Sequence, residues 1–258
     1  MAGGGNWEFQ LYRNNRTNSF VEDGVGPWLA HRVLHIRPTL TEDWLPSPRT
    51  TRLDMPAIWL LPRHETFGGW PASGEIDVME ATGNAAGYAG NRGVDTDTAR
   101  DTRTPHLGLN VEQNRFHQTS ASMTLPGANF SDDFHTFGLV RTEHGLYTYL
   151  DDDAQRILQV DWTNQTFFER GGWDPSSWSN PWASGHTNGA PFDEDFFIIF
   201  NLAVGGVSFF PDGEGGKPWE NESGSAQWDF WGARDQWLPS WQENDPALKI
   251  DWVRVTEV

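Results

Sequence analysis

The stretch Gly74-Glu75-Ile76-Asp77-Val78-Met79-Glu80 places three carboxylates within six residues, separated by Ile76, Val78 and Met79. On a strand, alternate side chains point to opposite faces, so Glu75 and Asp77 share one face while Ile76 and Val78 point into a core. Glu80 has the wrong parity for the acid face, and one extra residue, taken up as a β-bulge, would turn it back to join the other two. A helix would not gather the three, because its neighbours lie at i+3 and i+4. The stretch therefore reads as a bulged strand whose carboxylates line a cleft. Two carboxyl groups about 5–5.5 Å apart perform glycoside hydrolysis with retention, one as nucleophile and one as general acid/base. Asp77 between them can hydrogen-bond to the nucleophile, and its charge helps keep a neighbouring acid protonated. Two other readings fit the same spacing: an acidic edge strand with solvated carboxylates, and a hard-cation site with oxygen ligands. Spacing alone does not rank catalysis above them.

The elements that must position this strand are themselves mostly strands. Alternating or apolar runs predict strands over 8–12, 18–22, 32–37, 57–61, 134–141, 156–160, 196–204 and 248–255, and over 145–153 a strand that runs into a turn. The 145–153 and 156–160 runs form a hairpin. The run at 196–204 is apolar throughout, as expected of a strand buried on both faces. Gly68-Gly69-Trp70-Pro71 is a turn that delivers the chain into the acidic strand. Residues 81–118 are polar and weakly periodic and read as a long surface loop with room for two short strands. One helical turn is expected over 163–168, and Trp-rich loops follow at 171–191 and 219–241. Many strands with few helical patterns point to an all-β sandwich or barrel.

Length and composition bound the rest. The 258 residues suit one large all-β domain spanning 1–258, with no linker or repeat. A formal net charge of −18 argues against nucleic acid and against anionic membranes as partners, while a neutral polymer is compatible with it. The 15 Trp suit stacking on sugar rings, although most are expected in the core. There is no Cys, hence no disulfide and no thiol chemistry. No apolar run approaches the ~20 residues of a membrane span, and the N-terminal Met1-Ala2-Gly3-Gly4-Gly5 is not a signal peptide as it stands. Asn-x-Ser/Thr triplets at Asn15, Asn129, Asn164 and Asn221 fit a secreted glycoprotein. A phosphate-binding Gly-Lys loop, a Gly-x-Ser-x-Gly elbow and a His-Glu-x-x-His pair are all lacking.

The acidic motif, preceded by Gly69-Trp70-Pro71-Ala72-Ser73, resembles the active-site strand of glycoside hydrolase family 16. The two residues between Asp77 and Glu80 match its laminarinase branch, which has the bulge. Ala57-Ile58-Trp59-Leu60-Leu61-Pro62, Asp133-Phe134-His135-Thr136-Phe137, Asn180-Pro181-Trp182-Ala183, Asn201-Leu202-Ala203-Val204-Gly205-Gly206 and Ile250-Asp251-Trp252-Val253 follow in the family's order. The opening of the chain is similar to that of animal endo-1,3-β-glucanases and β-1,3-glucan-binding proteins. The resemblance implies a β-jelly-roll of two curved antiparallel sheets, concanavalin A-like, with a glucan cleft across the concave face. It implies Glu75 as nucleophile, Glu80 as general acid/base and Asp77 as assisting acid. Trp70 and Trp59 are the implied sugar platforms, with a core role the alternative for Trp59. His135 would sit in the cleft, and Asn18 and Asn201 would contact sugar hydroxyls. No metal joins the catalytic set and no cofactor is required. A structural calcium occurs in some members, where Asp251 could contribute, with a solvated strand residue as the alternative.

The chain departs from the family at 41–55. Relatives carry several tens more residues there, including a strand, so one strand of the jelly-roll is expected to be absent or replaced. The expected activity is retaining endo-hydrolysis of β-1,3-glucan by an extracellular monomer. The alternatives are a non-catalytic glucan recognition protein of innate immunity and an inactive truncated paralogue, and the two glutamates favour the enzyme.

Overall fold

The computed structural model describes residues 19–23, 32–36, 54–81, 99–125, 130, 132–206, 210–213, 216–238 and 247–257. The strand expected at 8–12, Asn18, the triplets at Asn15 and Asn129, and the 41–53 part of the short interval lie outside them. Eleven strands and two short helices are described: β1 Ser19–Asp23, β2 Arg32–Ile36, β3 Asp54–Pro62, β4 Glu75–Ala81, β5 Ala99–His106, β6 Ala121–Leu125, β7 Phe137–Arg141, β8 Gly145–Leu150, β9 Arg156–Asp161, α1 Phe167–Arg170, β10 Phe196–Val204, α2 Ala226–Gly232 and β11 Leu248–Ile250. All strand pairings are antiparallel. The expected all-β class is what the chain adopts.

The acidic strand lies at the centre of the largest sheet, whose order is β10-β3-β4-β5-β6. β7-β8-β9 form a second sheet and β1-β2-β11 a third. One core joins the first two, with Ile76 and Leu107 meeting Leu146, Leu158 and Val160, and Leu60, Leu139 and Phe196 packed around them. Trp162, Phe167, Phe168, Trp173, Trp182 and Phe192 close this core from the 162–192 segment. A second core gathers Met55, Ala203 and Val204 with Phe210, Trp219, Phe230, Trp237 and Leu238. Most Trp side chains with buried rings spend their indole N–H on a backbone carbonyl, as an apolar site demands. Trp162 donates to Glu143 O (2.8 Å), Trp182 to Ala72 O (2.6 Å), Trp219 to Gly206 O (2.9 Å) and Trp237 to Phe230 O (3.0 Å).

Four expectations need correction. The 81–118 stretch is not merely loop: it contains β5, eight residues long and hydrogen-bonded on both sides. β10 is not buried on both faces: Phe197 and Ile198 stay 49% and 40% exposed, and among the described residues its strand neighbour is β3. The 248–255 strand is only Leu248–Ile250, paired with β2, and Trp252, Val253 and Val255 beyond it are exposed. The 219–241 loop contains α2, whose Phe230 and Ala226 are buried in the second core. The helical turn at 163–168 is α1, one turn later, capped by Thr166 and Glu169 in a reciprocal capping box.

Lys217 is buried in the 210–221 segment, where its ammonium donates to Phe210 O (2.9 Å), Asn221 Oδ1 (2.7 Å) and Asp212. The Asn221 amide in turn donates to Phe210 O (3.2 Å), so this Asn-x-Ser triplet is knit into the fold, whereas Asn164 is exposed. No helix among the described residues is long and apolar enough to cross a membrane.

The Trp182 indole ties the 173–192 segment to the turn that carries Trp70. Trp182→Phe keeps most of the ring but leaves Ala72 O unpaired in a buried site. The expected cost is about 1–3 kcal/mol, read as a lowered urea midpoint with an unchanged m-value. An unchanged midpoint would show that the tie contributes nothing.

Candidate active site

The bulge lies where the parity argument requires it. Against β3, Trp59 pairs with Asp77 and Ile58 with Met79, so Val78 is the extra residue. Against β5, Asp77 pairs with Thr104 and Glu80 with Thr102, again with one surplus residue in β4. Directly paired residues share a face. Glu75, Asp77 and Glu80 therefore lie on one face, opposite His106, Thr104 and Thr102. Ile76 points the other way and is fully buried in the first core.

Chain entry into β4 is shaped by the turn before it. Gly74 adopts φ +84°, a conformation that L side chains rarely take, and a Cβ there would meet the Phe192 ring at 3.0 Å. The Ser73 hydroxyl donates to Gly68 O (2.7 Å) and accepts from Phe67 N–H (3.0 Å), closing the loop. Trp70, 40% exposed, reaches back so that its indole N–H donates to Glu75 Oε2 at 2.7 Å. One Glu75 oxygen is thereby held by a donor, while the other, Oε1, lies 3.8 Å from His106 Nε2.

Trp59 and Asn201 belong to the same face. Trp59 is paired with Asp77 on one side and Ile199 on the other, Asn201 is paired with Ala57, and the indole N–H donates to Asn201 Oδ1 at 2.5 Å. Trp59 is half-buried, belongs to neither buried cluster and shares the face of the carboxylates. His135 stands apart from this group. Its Nδ1 lies 2.8 Å from Asp151 Oδ2 at the end of β8, and its ring meets Phe130 edge-on.

Sequence reasoning missed His106. It ends β5 directly opposite Glu75, with Nε2 3.2 Å from Asp77 Oδ2 and 3.8 Å from Glu75 Oε1. Its ring lies between Trp70 and the 45% exposed Phe116, with centroids 5.6 and 5.5 Å away. The available signal was the alternation Thr102-x-Thr104-x-His106, a polar face of the right period, but nothing in it fixed the register with β4.

Asp77 is the electrostatic centre. It is 1% exposed, and its Oδ2 has no aligned hydrogen bond. Burial, then the charge of Glu75, then a hydrogen bond to Glu75 push its pKa well above the ordinary value of about 3.9. Protonated, Asp77 is a donor to Glu75. The ligand atoms of Glu75, Asp77 and His106 all lie within 4.8 Å of one another, the one such grouping among the described residues, and Asp251 is not in it. Glu75 is already held by the Trp70 indole and by Asp77, so the group is knit as a proton-sharing set rather than as a cage of free oxygen ligands.

A raised carboxyl pKa means that folding favours the protonated form. The stability Asp77 contributes is therefore full below its unfolded value and declines as pH rises through its raised folded value. Asp77→Asn, which stays neutral, is expected to melt higher than the wild type at pH 7. The gap should narrow toward pH 4, as scanning calorimetry at several pH values would read. A pH-independent difference would contradict the buried-proton assignment.

No family model matches the chain. A β-1,3-glucan-binding protein of Penaeus monodon is 35% identical over 327 aligned positions, covering 99% of this chain and 84% of that protein. The alignment is longer than the chain by 327 − 258 = 69 positions, so that relative carries at least 69 residues without a counterpart here. A glucan endo-1,3-β-glucosidase of Cryptopygus antarcticus is 32% identical over 84% of this chain and 75% of its own length. The catalytic domain of an endo-1,3-β-glucanase from Thermotoga petrophila is a looser structural likeness that bears no weight on function, 23% identical over 81% of this chain and 78% of that one, with a TM-score of 0.49. On the strength of the two sequence relatives, whose lengths it largely spans, the chain belongs to the family of β-1,3-glucan-binding proteins and glucan endo-1,3-β-glucosidases.

Proposed function

We propose that the chain is a retaining endo-1,3-β-glucanase acting on laminarin-type glucan. The observation that carries this reading is the shared face of Glu75, Asp77 and Glu80, with Asp77 buried beside Glu75. Glu80 protonates the glycosidic oxygen as Glu75 Oε1 attacks the anomeric carbon. A covalent glycosyl-enzyme forms, Glu80 then takes a proton from water, and configuration is retained. Trp70 holds Glu75 by its second oxygen and offers a half-exposed ring to a sugar face. Asp77 supports the charge that returns to Glu75 when the glycosyl ester breaks. The acid, the base and the first nucleophile of this scheme are side chains of the protein and the second nucleophile is water, so it calls for no cofactor. The acidic surface suits a neutral polymer, and the proposed setting is an extracellular monomer.

A second reading keeps the glucan and drops the chemistry. It is favoured by the extent of the match to a relative named as a glucan-binding protein, 99% of this chain. Reducing-sugar release from laminarin separates the two. The wild type should release sugar, while Glu75→Gln and Glu80→Gln should each lose roughly 100-fold or more and still bind laminarin. Binding without release by the folded wild type would move the assignment to glucan recognition.

A further inference from the structure

We infer that Asn114 is a positioning residue: it fixes His106 as the tautomer with its proton on Nε2, so that the ring nitrogen nearest Asp77 and Glu75 is the one that carries the proton. The catalytic consequence rests on the hydrolase reading above, whereas the tautomer itself does not.

Hydrogen-bond polarity sets the tautomer. Asn114 Nδ2 lies 3.0 Å from His106 Nδ1. An amide nitrogen only donates, so this Nδ1 must accept and carries no proton. The amide is not free to turn over, because Asn114 Oδ1 accepts from the Phe116 N–H at 3.1 Å. A flipped amide would point an NH2 at that N–H. The remaining imidazole proton then sits on Nε2, 3.2 Å from Asp77 Oδ2 and 3.8 Å from Glu75 Oε1. Among the described residues, those two carboxyls are the acidic groups within 4 Å of the ring nitrogens.

The loop is built to hold Asn114 there. Gly108 bridges Asn114 across the turn, and a Cβ on Gly108 would lie 2.7 Å from Asn114 Cα and 2.8 Å from Gln113 O, both backbone. Arg115 N donates to Leu107 O at 2.7 Å. Gln113 Oε1 accepts from both Arg115 Nη2 (2.8 Å) and the Trp173 indole (3.3 Å), which anchors the loop to the first core.

The tautomer matters because of what Nε2 faces. An N–H there leaves the Asp77 proton for Glu75. A lone pair there would compete for that proton and draw Asp77 away from the nucleophile. Asn114 thus acts on the reaction through His106 and Asp77 without touching substrate.

The test is long-range 1H–15N correlation NMR on protein labelled at its 8 His, with His106→Gln to assign the signal. The wild type at pH 7 should show His106 protonated on Nε2 and bare on Nδ1. Asn114→Asp replaces the donor by an acceptor and should move the proton to Nδ1. On laminarin its kcat should fall roughly tenfold or more with KM changed less and the pH profile displaced, while Asn114→Ala loses less. A wild-type His106 protonated on Nδ1 overturns the inference, and this holds even if the variants fail to fold. So does an unchanged tautomer in a folded Asn114→Asp. If the wild type shows the expected tautomer and releases no sugar, the tautomer assignment stands and the hydrolase reading is the one that fails.

Discussion

One surplus residue in one strand governs the site. Without the bulge at Val78, the period of two would send Glu80 into the first core, where an ionised carboxylate is untenable, and leave Glu75 and Asp77 without a partner. With it, the apolar side chains of β4 still reach the interior. Ile76, Val78 and Met79 are all buried, so the strand keeps its anchorage while changing phase midway. The neighbours enforce this. β3 and β5 both pair with β4 on either side of the irregularity, and neither could shift register without losing its own alternation.

The second constraint is electrostatic. Glu75 and Asp77 are adjacent on one face, and Asp77 is almost wholly removed from water. Two charges cannot both be kept there cheaply, so one proton stays. The same burial that weakens the fold at neutral pH supplies a donor beside Glu75. Stability and chemistry pull in opposite directions at this residue, as they often do where a polar group is buried for use.

The acid strand was legible because parity, residue type and flanking apolar residues all constrain one another over seven positions. The β8–β9 hairpin and β10 were legible for similar reasons. β5 was not. Its sequence, ARDTRTPH, is polar on both faces and carries Pro105, which cannot donate to a ladder and argues against a central strand. It is a strand because β4 and β6 pair with it on both sides, a tertiary reason that no local pattern contains. His106 and Asn114 were hidden with it, since their roles depend on register and on a loop closure around Gly108. The Trp residues were ambiguous for a different cause: an indole suits a core and a sugar platform equally, and only the face of the strand separates Trp59 from Trp219. His135 belongs with the resemblance alone, and its nearest partner is Asp151.

The second core sits on the same face of the large sheet as the carboxylates. Met55 and Ala203, which it buries, are paired with each other and alternate with Ala57, Trp59 and Asn201 on that face. At the other end of the strands rises the turn bearing Trp70, braced by Trp182. The carboxylate row is thus flanked at both strand ends, by the second core beyond Glu80 and by the Trp70 turn before Glu75. On the proposed reading, a glucan that avoids both would cross the row instead of following it, so the strands on either side of β4 are the ones that would grip its sugars.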